Sequence, residues 1–494
     1  MPMEMSKVRS CGGSRTSKIP SDAATAARLI SNQRSLINIL PLPGWNMDYN
    51  KARRYVFLLP LHVIGLISIP NFYEHGWKNK LHRLVYRNFM WVGIIFGVLL
   101  QFASTFIYSI HDLSEFLQRL LECLSDITIL STIFYYNVLM KEVIELLDLQ
   151  EKEFKVSNIK IHKKYILQEQ KFLAIAFLFS ICVSTSFLIE TILPKSERTL
   201  WLMTSLYHRK HPDRVLPFNM WTPSFIDASD MEYFVILYLL EVCLLVYFTA
   251  GVFEMAVMHI IFPISLKGQY TMLGEFVELM GVEHRDSVGD LIFYSDVATG
   301  EYLTETQMLH FVMKHKTDQP KAQIKQQRAT ALKKIPYSSF YTRQIVTRYR
   351  TLNQIMNKYT SLQETMYNVA IVPFLVIWVL SFYQMAYMKH LPMFNCIKIV
   401  CEFLCVVLGA FNFIYQTDYL NDSHEIIARA IYQSHWYNCT PQVRKIICMF
   451  LRSAQQPKNI SLLGGVIMLT RQQFLKLING AFSFLNFMKM TGRV

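Results

Sequence analysis

Long runs of apolar residues constrain the fold of this chain more than any other feature. A helix that crosses a bilayer needs about 20 consecutive, mostly apolar residues, and it pairs its own backbone polar groups. Only 17% of the 494 residues are charged, against about 25% in a soluble protein. The sequence therefore predicts an all-α membrane protein with seven transmembrane helices. The predicted spans are residues 88–110, 116–140, 172–193, 233–262, 369–388, 396–415 and 474–488.

The distribution of basic residues predicts the orientation of these spans. Lys and Arg cluster before the first span, after the second, and between the fourth and fifth, whereas the turn at 111–115 has none. The positive-inside rule then places the N-terminus in the cytosol, and seven spans leave the C-terminus extracellular. The basic residues of loop 194–230 argue weakly against this orientation. The net charge of +14 thus reflects membrane orientation, and no nucleic acid partner is predicted.

Changes in polarity along the chain predict six regions, two of which have internal features. The region of the first four helices begins with a short apolar stretch at 36–45 that suits a re-entrant segment. The loop before helix 5 holds a polar, flexible insert at 284–336 and ends in a helix that leads into the fifth span. The regions are the cytosolic N-terminal tail, 1–35; transmembrane helices 1–4, 36–266, with the extracellular loop 194–230; the cytosolic loop, 267–366; helices 5–6, 367–416; the cytosolic anchor helix, 417–465; and helix 7, 466–494.

The last predicted span carries a narrow polar stripe. Its members recur at alternating steps of four and three, which places them on one line of a helix. A helix at membrane depth turns such a line toward water or another polar surface. Several copies around an axis could enclose a pore, but a polar seam packed against a neighbouring helix explains the spacing equally well. The stripe consists of Gln472, Lys476, Asn479, Ser483, Asn486 and Met490.

The cytosolic region 418–452 has an amphipathic helical pattern. Its apolar residues, among them Ile427, Ile447 and Phe450, recur at roughly helical spacing. A thin cytosolic layer offers such a face little to pack against unless subunits associate. We therefore expect an oligomerisation region here.

Aromatic and hydroxyl side chains are frequent in the predicted outer halves of the third, fourth and fifth spans. Mostly apolar walls with a few hydroxyls suit a small volatile organic ligand. Ordinary packing between helices, or an aromatic belt, explains any single residue as well. The candidate ligand-binding residues are Ser184, Phe187, Tyr233, Leu237, Tyr238, Trp378 and Phe382.

Four acidic residues fall at membrane depth, where an ionisable side chain is a functional hypothesis by default. For Asp126 and Glu402 we favour hydrogen bonding between helices, because both lie on amphipathic faces. Glu190 and Glu241 lie in spans that we expect around a ligand site, and both interpretations stay open for them.

The motifs of enzymes and cofactor-binding proteins are missing from the sequence. Gly464 and Gly465 are not followed by the Gly-Lys-Ser/Thr of a phosphate-binding loop. His424 and Glu425 begin like a zinc-protease helix, but Ala428 occupies the position of the second ligand. We predict no enzymatic activity, no metal site and no cofactor.

The C-terminal third of the chain resembles the insect odorant receptors. The resemblance rests on an ordered set of motifs: AIYQSHWY at 430–437, Arg444-Lys445, MFLRSAQQP at 449–457, the glycine pair, Phe474 and Ser483-Phe484. Elsewhere it is weaker and concerns patterns, such as the helix at 348–364 before the fifth span.

The resemblance implies a tetrameric, odorant-gated, non-selective cation channel in the plasma membrane of a sensory dendrite. The last helix of each subunit would line one central pore, with the gate near Phe487, and cytosolic helices would anchor the subunits to one another. The ending at 482–489 departs from that of the shared co-receptor, which implies a tuning subunit that assembles with the co-receptor. The residues concerned are Asn479, Ser483, Asn486, Phe487 and Met490 for the pore and Tyr432, Trp436 and Arg444 for the anchor.

Three other classes of membrane protein fit the sequence less well. A seven-helix receptor coupled to a G protein needs an extracellular N-terminus and usually a disulfide to its second extracellular loop, which here has no cysteine. A gustatory-type channel subunit of the same superfamily would carry a Thr-Tyr ending that is absent. A transporter would show internal repeats and broken helices, and no repeat is visible.

Overall fold

The computed structural model describes residues 58–69, 76–192, 194–223, 226–286, 289–304, 337–387, 393–456 and 460–490, which are mostly helical. The predicted tail at 1–35 and the re-entrant segment lie outside the described residues. Two short antiparallel hairpins accompany the helices, β1 (Ile292–Ser295) with β2 (Tyr302–Thr304) and β3 (Ser461–Leu462) with β4 (Ile467–Met468). The helices are α1 Leu59–Ile64, α2 Gly76–Leu81, α3 Arg87–Ile107, α4 Leu113–Val138, α5 Met140–Glu153, α6 Ile159–Ile192, α7 Glu197–Trp201, α8 Met231–Glu278, α9 Tyr337–Tyr387, α10 Met393–Gln433, α11 Pro441–Ala454 and α12 Arg471–Met490.

Several of these helices are long and apolar enough to span a bilayer. Within the described ranges there are five, or six if α4 and α5, which meet at a bend of 71°, count as one span. The helix α12 has 20 residues but is not among them, because its polar stripe lowers its hydropathy. The prediction of an all-α, multi-pass membrane protein is confirmed. The count of seven and the orientation of the termini stay predictions.

Three helices extend well beyond a membrane. The helices α8, α9 and α10 have 48, 51 and 41 residues. At 1.5 Å per residue they are about 72, 77 and 62 Å long, against a hydrocarbon core of about 30 Å. Their extensions form one end of the molecule, which we call the base. The other end, which carries residues 194–223 and 226–230, is called the loop end.

The base has a continuous hydrophobic core. Tyr270 of α8, Tyr349 of α9 and Ile427 of α10 are buried in it, together with Ile447 and Phe450 of α11. The amphipathic helical pattern at 418–452 is present, but its apolar face does not need another subunit to cover it, and oligomerisation stays a prediction. This chain buries the apolar face itself, because the extensions of α9 and α10 provide a surface for α11.

The insert predicted over 284–336 is structured in its described part. The hairpin of β1 and β2 packs against the start of α9, and His284 is buried there. The ring of His284 hydrogen-bonds through Nδ1 to the Tyr337 hydroxyl at 2.6 Å and through Nε2 to the Leu279 carbonyl at 2.9 Å. Burial lowers the pKa of His284, which favours the neutral form of the ring. Residues 287–288 and 305–336 lie outside the described residues.

The loop end is folded onto the helices. Its apolar cluster contains Leu202, Met203, Leu206, Tyr207 and Val215. The Tyr207 hydroxyl donates to Glu115 Oε1 at 2.9 Å, and burial raises the pKa of this phenol. The loop after α7 is therefore fixed to the start of α4.

Candidate functional site

A cavity of about 80 Å³ lies among α4, α6, α8 and α10. Its walls are mainly apolar, and Phe218 from the loop end contributes to them. The ring of Phe218 lies 5.3 Å from that of Phe187 on α6 and 6.1 Å from that of Phe248 on α8. On another side α4 and α8 pack so closely that a Cβ atom added to Gly251 of α8 would lie 2.7 Å from the Ile129 side chain of α4. Four helices and one loop residue thus surround a space in the membrane-spanning part.

Hydroxyl groups supply part of the polarity of this cavity. Ser125, Ser184 and Thr249 line it, and the hydroxyls of Ser184 and Thr249 hydrogen-bond to each other between α6 and α8. An apolar space with a few hydroxyls can hold a small organic molecule and orient one polar group on it.

Two of the predicted ligand-site residues, Ser184 and Phe187, line this cavity. Tyr233, Leu237 and Tyr238 lie nearer the start of α8, and Tyr233 is exposed. Trp378 and Phe382 are buried elsewhere, in an aromatic cluster against α12. The sequence could not separate these groups, because the rotation of α9 relative to the other helices is set by packing between distant segments.

The charged residues of α4 form a buried network beside the cavity. Arg119, only 2% exposed, donates to Glu115 Oε1 and Glu122 Oε2, each at 2.8 Å. Lys398 of α10 places Nζ 3.1 Å from Glu122 Oε1 and 4.0 Å from Glu402 Oε1. This arrangement explains how a span with several charges can be buried: each cation lies between carboxylates. The role predicted for Glu402 between helices stays a prediction, because its contact with Lys398 lies within α10.

Glu241 has a structural role that the sequence left open. Its carboxylate accepts hydrogen bonds from the backbone N–H groups of Phe218, at 2.7 Å, and Met220, at 3.3 Å. Glu241 is fully buried, so it fixes the loop residue that closes the cavity. The side chain of Glu190 lies outside the described residues.

Sequence reasoning missed Glu122, Phe218, Phe248 and Thr249 as cavity residues. One signal was available for Glu122, since the charged residues of α4 recur at helical spacing on one face. No local signal marks Phe218, because its place at the cavity depends on the fold of the loop.

The stripe of α12 faces away from the rest of the chain. Gln472, Lys476, Asn479, Ser483 and Asn486 are exposed in the single chain. Phe487 and Met490 are 61% and 88% exposed, whereas Phe474 on the opposite face is buried. The exposed sector is wider than the stripe, because Leu475 and Phe482 are exposed too.

Charged contacts hold the start of α12. Arg471 hydrogen-bonds to Asp418 and, at 3.2 Å, to Asp422 Oδ2 on α10. Lys267 of α8 pairs with the same Asp422 oxygen at 3.3 Å. The start of α12 is therefore tied to two of the helices that line the cavity.

The predicted anchor residues lie at the base. Tyr432 is 62% exposed and accepts a hydrogen bond from the Gln455 amide at 3.0 Å. Trp436 packs partly against the core, and Arg444 is exposed. Among the described residues no group of His, Cys, Asp or Glu side chains is arranged to hold a metal ion.

Comparison with known proteins gives the family. The 7tm Odorant receptor family matches residues 109–482, more than half of the chain. The insect olfactory receptor OR5 from Machilis hrabei has a similar fold, with a TM-score of 0.60 and 13% identity over 89% of this chain and 99% of that chain. Its complex with eugenol gives a TM-score of 0.59 and 13% identity over 90% of this chain and 100% of that chain. No curated protein matches this chain. The matched residues and the helical membrane fold together show that this chain belongs to the 7tm odorant receptor family.

Proposed function

We propose that this odorant receptor is a subunit of an odorant-gated, non-selective cation channel. The observation that carries the proposal is that α10 takes part in both the cavity and the contacts of α12. Glu402, Cys405 and Val406 of α10 line the cavity. Phe403, next to them, lies 4.9 Å from the Phe382 ring, which lies 5.9 Å from Phe482 of α12. A ligand that moves α10 would therefore move α12.

The odorant is proposed to bind in the cavity, with Ser184 and Phe187 among its contacts. An olfactory receptor of the same fold has been solved in complex with eugenol, which supports a small organic ligand. Trp378 and Phe382 would act in the coupling of α10 to α12. Tyr233, Leu237 and Tyr238 stay predicted ligand residues.

The pore is proposed to lie along the exposed face of α12. Asn479, Ser483 and Asn486 would face the ions, and Phe487 would form a narrow apolar gate. Such a constriction blocks ions when water leaves it, so no charge is needed there. A single copy cannot enclose a pore, and we propose a tetramer with co-receptor subunits, held together by Tyr432, Trp436 and Arg444 at the base.

The proposed topology has seven spans, a cytosolic N-terminus and base, and an extracellular loop end, in the plasma membrane of a sensory dendrite. In this orientation the cavity lies between the cytosolic base and the extracellular loop end. The end of α12 that carries Phe487 faces outward.

Expression of the chain alone and with an odorant co-receptor tests the proposed function. Whole-cell current is recorded against a panel of small odorants, and we expect current with the co-receptor present. Phe187→Ala should change the relative responses to different odorants. Phe177→Ala is the matched control, because Phe177 is exposed on the same helix. Loss of all responses with reduced surface protein for Phe187→Ala would indicate a packing role instead.

A further inference from the structure

Three carboxyl side chains line the cavity, and among the described residues Asp126 is the one that makes no ion pair with a Lys or Arg. Glu122 is held by Arg119 and Lys398, and Glu402 lies near Lys398. Asp126 is 3% exposed and interacts with Gln101 of α3. Its Oδ2 atom is buried and has no hydrogen-bond partner among the residues that the structure describes. Asp126 therefore presents an unused acceptor in the cavity wall.

The charges around the cavity do not supply a cation for Asp126. Arg119 and Lys398, the cations of the network, contact Glu115, Glu122 and Glu402. No Lys or Arg lines the cavity in the described part of the chain. A carboxylate without a counter-charge in an apolar wall is costly to bury, so it favours a ligand that carries a positive charge.

We propose that Asp126 makes this cavity a site for small organic amines, an inference that rests on the proposed function. The ammonium group of the ligand would bind Asp126 Oδ2, and its alkyl chain would contact Ile129, Phe187, Phe218 and Phe248. If the empty site holds a protonated carboxyl, an amine that arrives as the neutral base takes that proton. The carboxyl O–H bond breaks, an N–H bond forms, and the same ion pair results.

The size of the cavity narrows the class of amine. Its volume of about 80 Å³ is smaller than the roughly 150 Å³ of a cavity that holds benzene. The space therefore fits a ligand with fewer heavy atoms than the six of benzene. Short-chain aliphatic amines meet this limit, whereas an aromatic amine requires the helices to separate.

Thermal unfolding of the purified full chain in lipid nanodiscs tests the inference without channel opening. Isobutylamine is compared with isobutanol, which has the same shape and no charge. We expect isobutylamine to raise the midpoint at lower concentrations than isobutanol does. Asp126→Asn should weaken the apparent affinity for the amine at least about tenfold and leave that for the alcohol unchanged. Asp126→Glu should keep the preference for the amine.

The control variant is Asp148→Asn, which removes a carboxylate at an exposed position on α5. Equal effects of amine and alcohol on the native chain, or no effect of either, would overturn the inference, whether or not a variant folds. An unchanged amine preference in Asp126→Asn would also overturn it. Since the measurement reports binding alone, its failure leaves the proposed channel open to its own test by current.

Discussion

The ion pair between Glu122 of α4 and Lys398 of α10 is predicted to brace the cavity wall. The two side chains are 0% and 3% exposed, and Nζ lies 3.1 Å from Oε1. Removing one partner of a buried pair leaves an uncompensated charge and costs about 3–5 kcal/mol. We expect Lys398→Met and Glu122→Gln each to lower the free energy of unfolding by about 3 kcal/mol, a change of roughly 150-fold in the folded-to-unfolded ratio.

The double variant distinguishes the free energy of the Glu122–Lys398 pair from that of the other contacts of these two side chains. If the two charges stabilise the chain through each other, Lys398→Met with Glu122→Gln should lose about as much stability as either single variant, not the sum. The coupling free energy would then be close to 3 kcal/mol, at the upper end for residues in contact. Denaturant unfolding of the purified chain in detergent measures all four proteins. If the stability loss of the double variant equals the sum of the two single losses to within about 0.5 kcal/mol, the ion pair does not stabilise the cavity wall as predicted.

Three further predictions concern the gate, the topology and the base. Phe487→Ala widens and wets the proposed constriction, so basal current without odorant should rise; Phe484→Ala, also on α12 but off the stripe, should have a smaller effect. Asn438 begins a glycosylation sequon at the proposed cytosolic base, so Asn438→Gln should leave the glycosidase-sensitive mass of the chain unchanged. His284 has a lowered folded pKa, so stability should fall as the pH drops below the ordinary value near 6.5, where the unfolded chain binds the proton more readily. His284→Gln should flatten this slope between about pH 7.5 and 5.5 in a thermal unfolding series.

The helical membrane fold and the family could be predicted from the sequence because their signals are local. A span is a continuous apolar run, and the family motifs of 430–457 are contiguous letters. The stripe of α12 is also local, since helical periodicity alone places Asn479, Ser483 and Asn486 on one line.

The cavity and the packing at the base depend on contacts between distant segments. Ser184 and Phe187 could be proposed from composition, but Phe218 reaches the cavity only because Glu241 holds its backbone. Likewise, no local pattern shows that Glu122 of α4 is paired with Lys398, which lies far along the chain. The two strands at the start of the insert are also too short to show an alternating pattern in the sequence, so only their packing on α9 reveals them.

At residues 430–450 of the base, one feature could be predicted from the sequence and another could not. Periodicity identified the apolar face, yet only the fold shows that α9 and α10 cover it. Tyr432, Tyr437 and Met449 are large apolar side chains that remain exposed there, and the proposed tetramer would use them for contact with another subunit.

Current in excised outside-out membrane patches tests the central proposal most directly. Patches from cells that express this chain with the co-receptor are exposed to an active odorant, with a pipette solution free of GTP and ATP. A channel opened by the ligand itself should carry a non-selective cation current within milliseconds and should continue to respond after washing. A response that disappears without nucleotide, and returns when GTP is added, would contradict the proposal and identify a receptor that acts through a G protein.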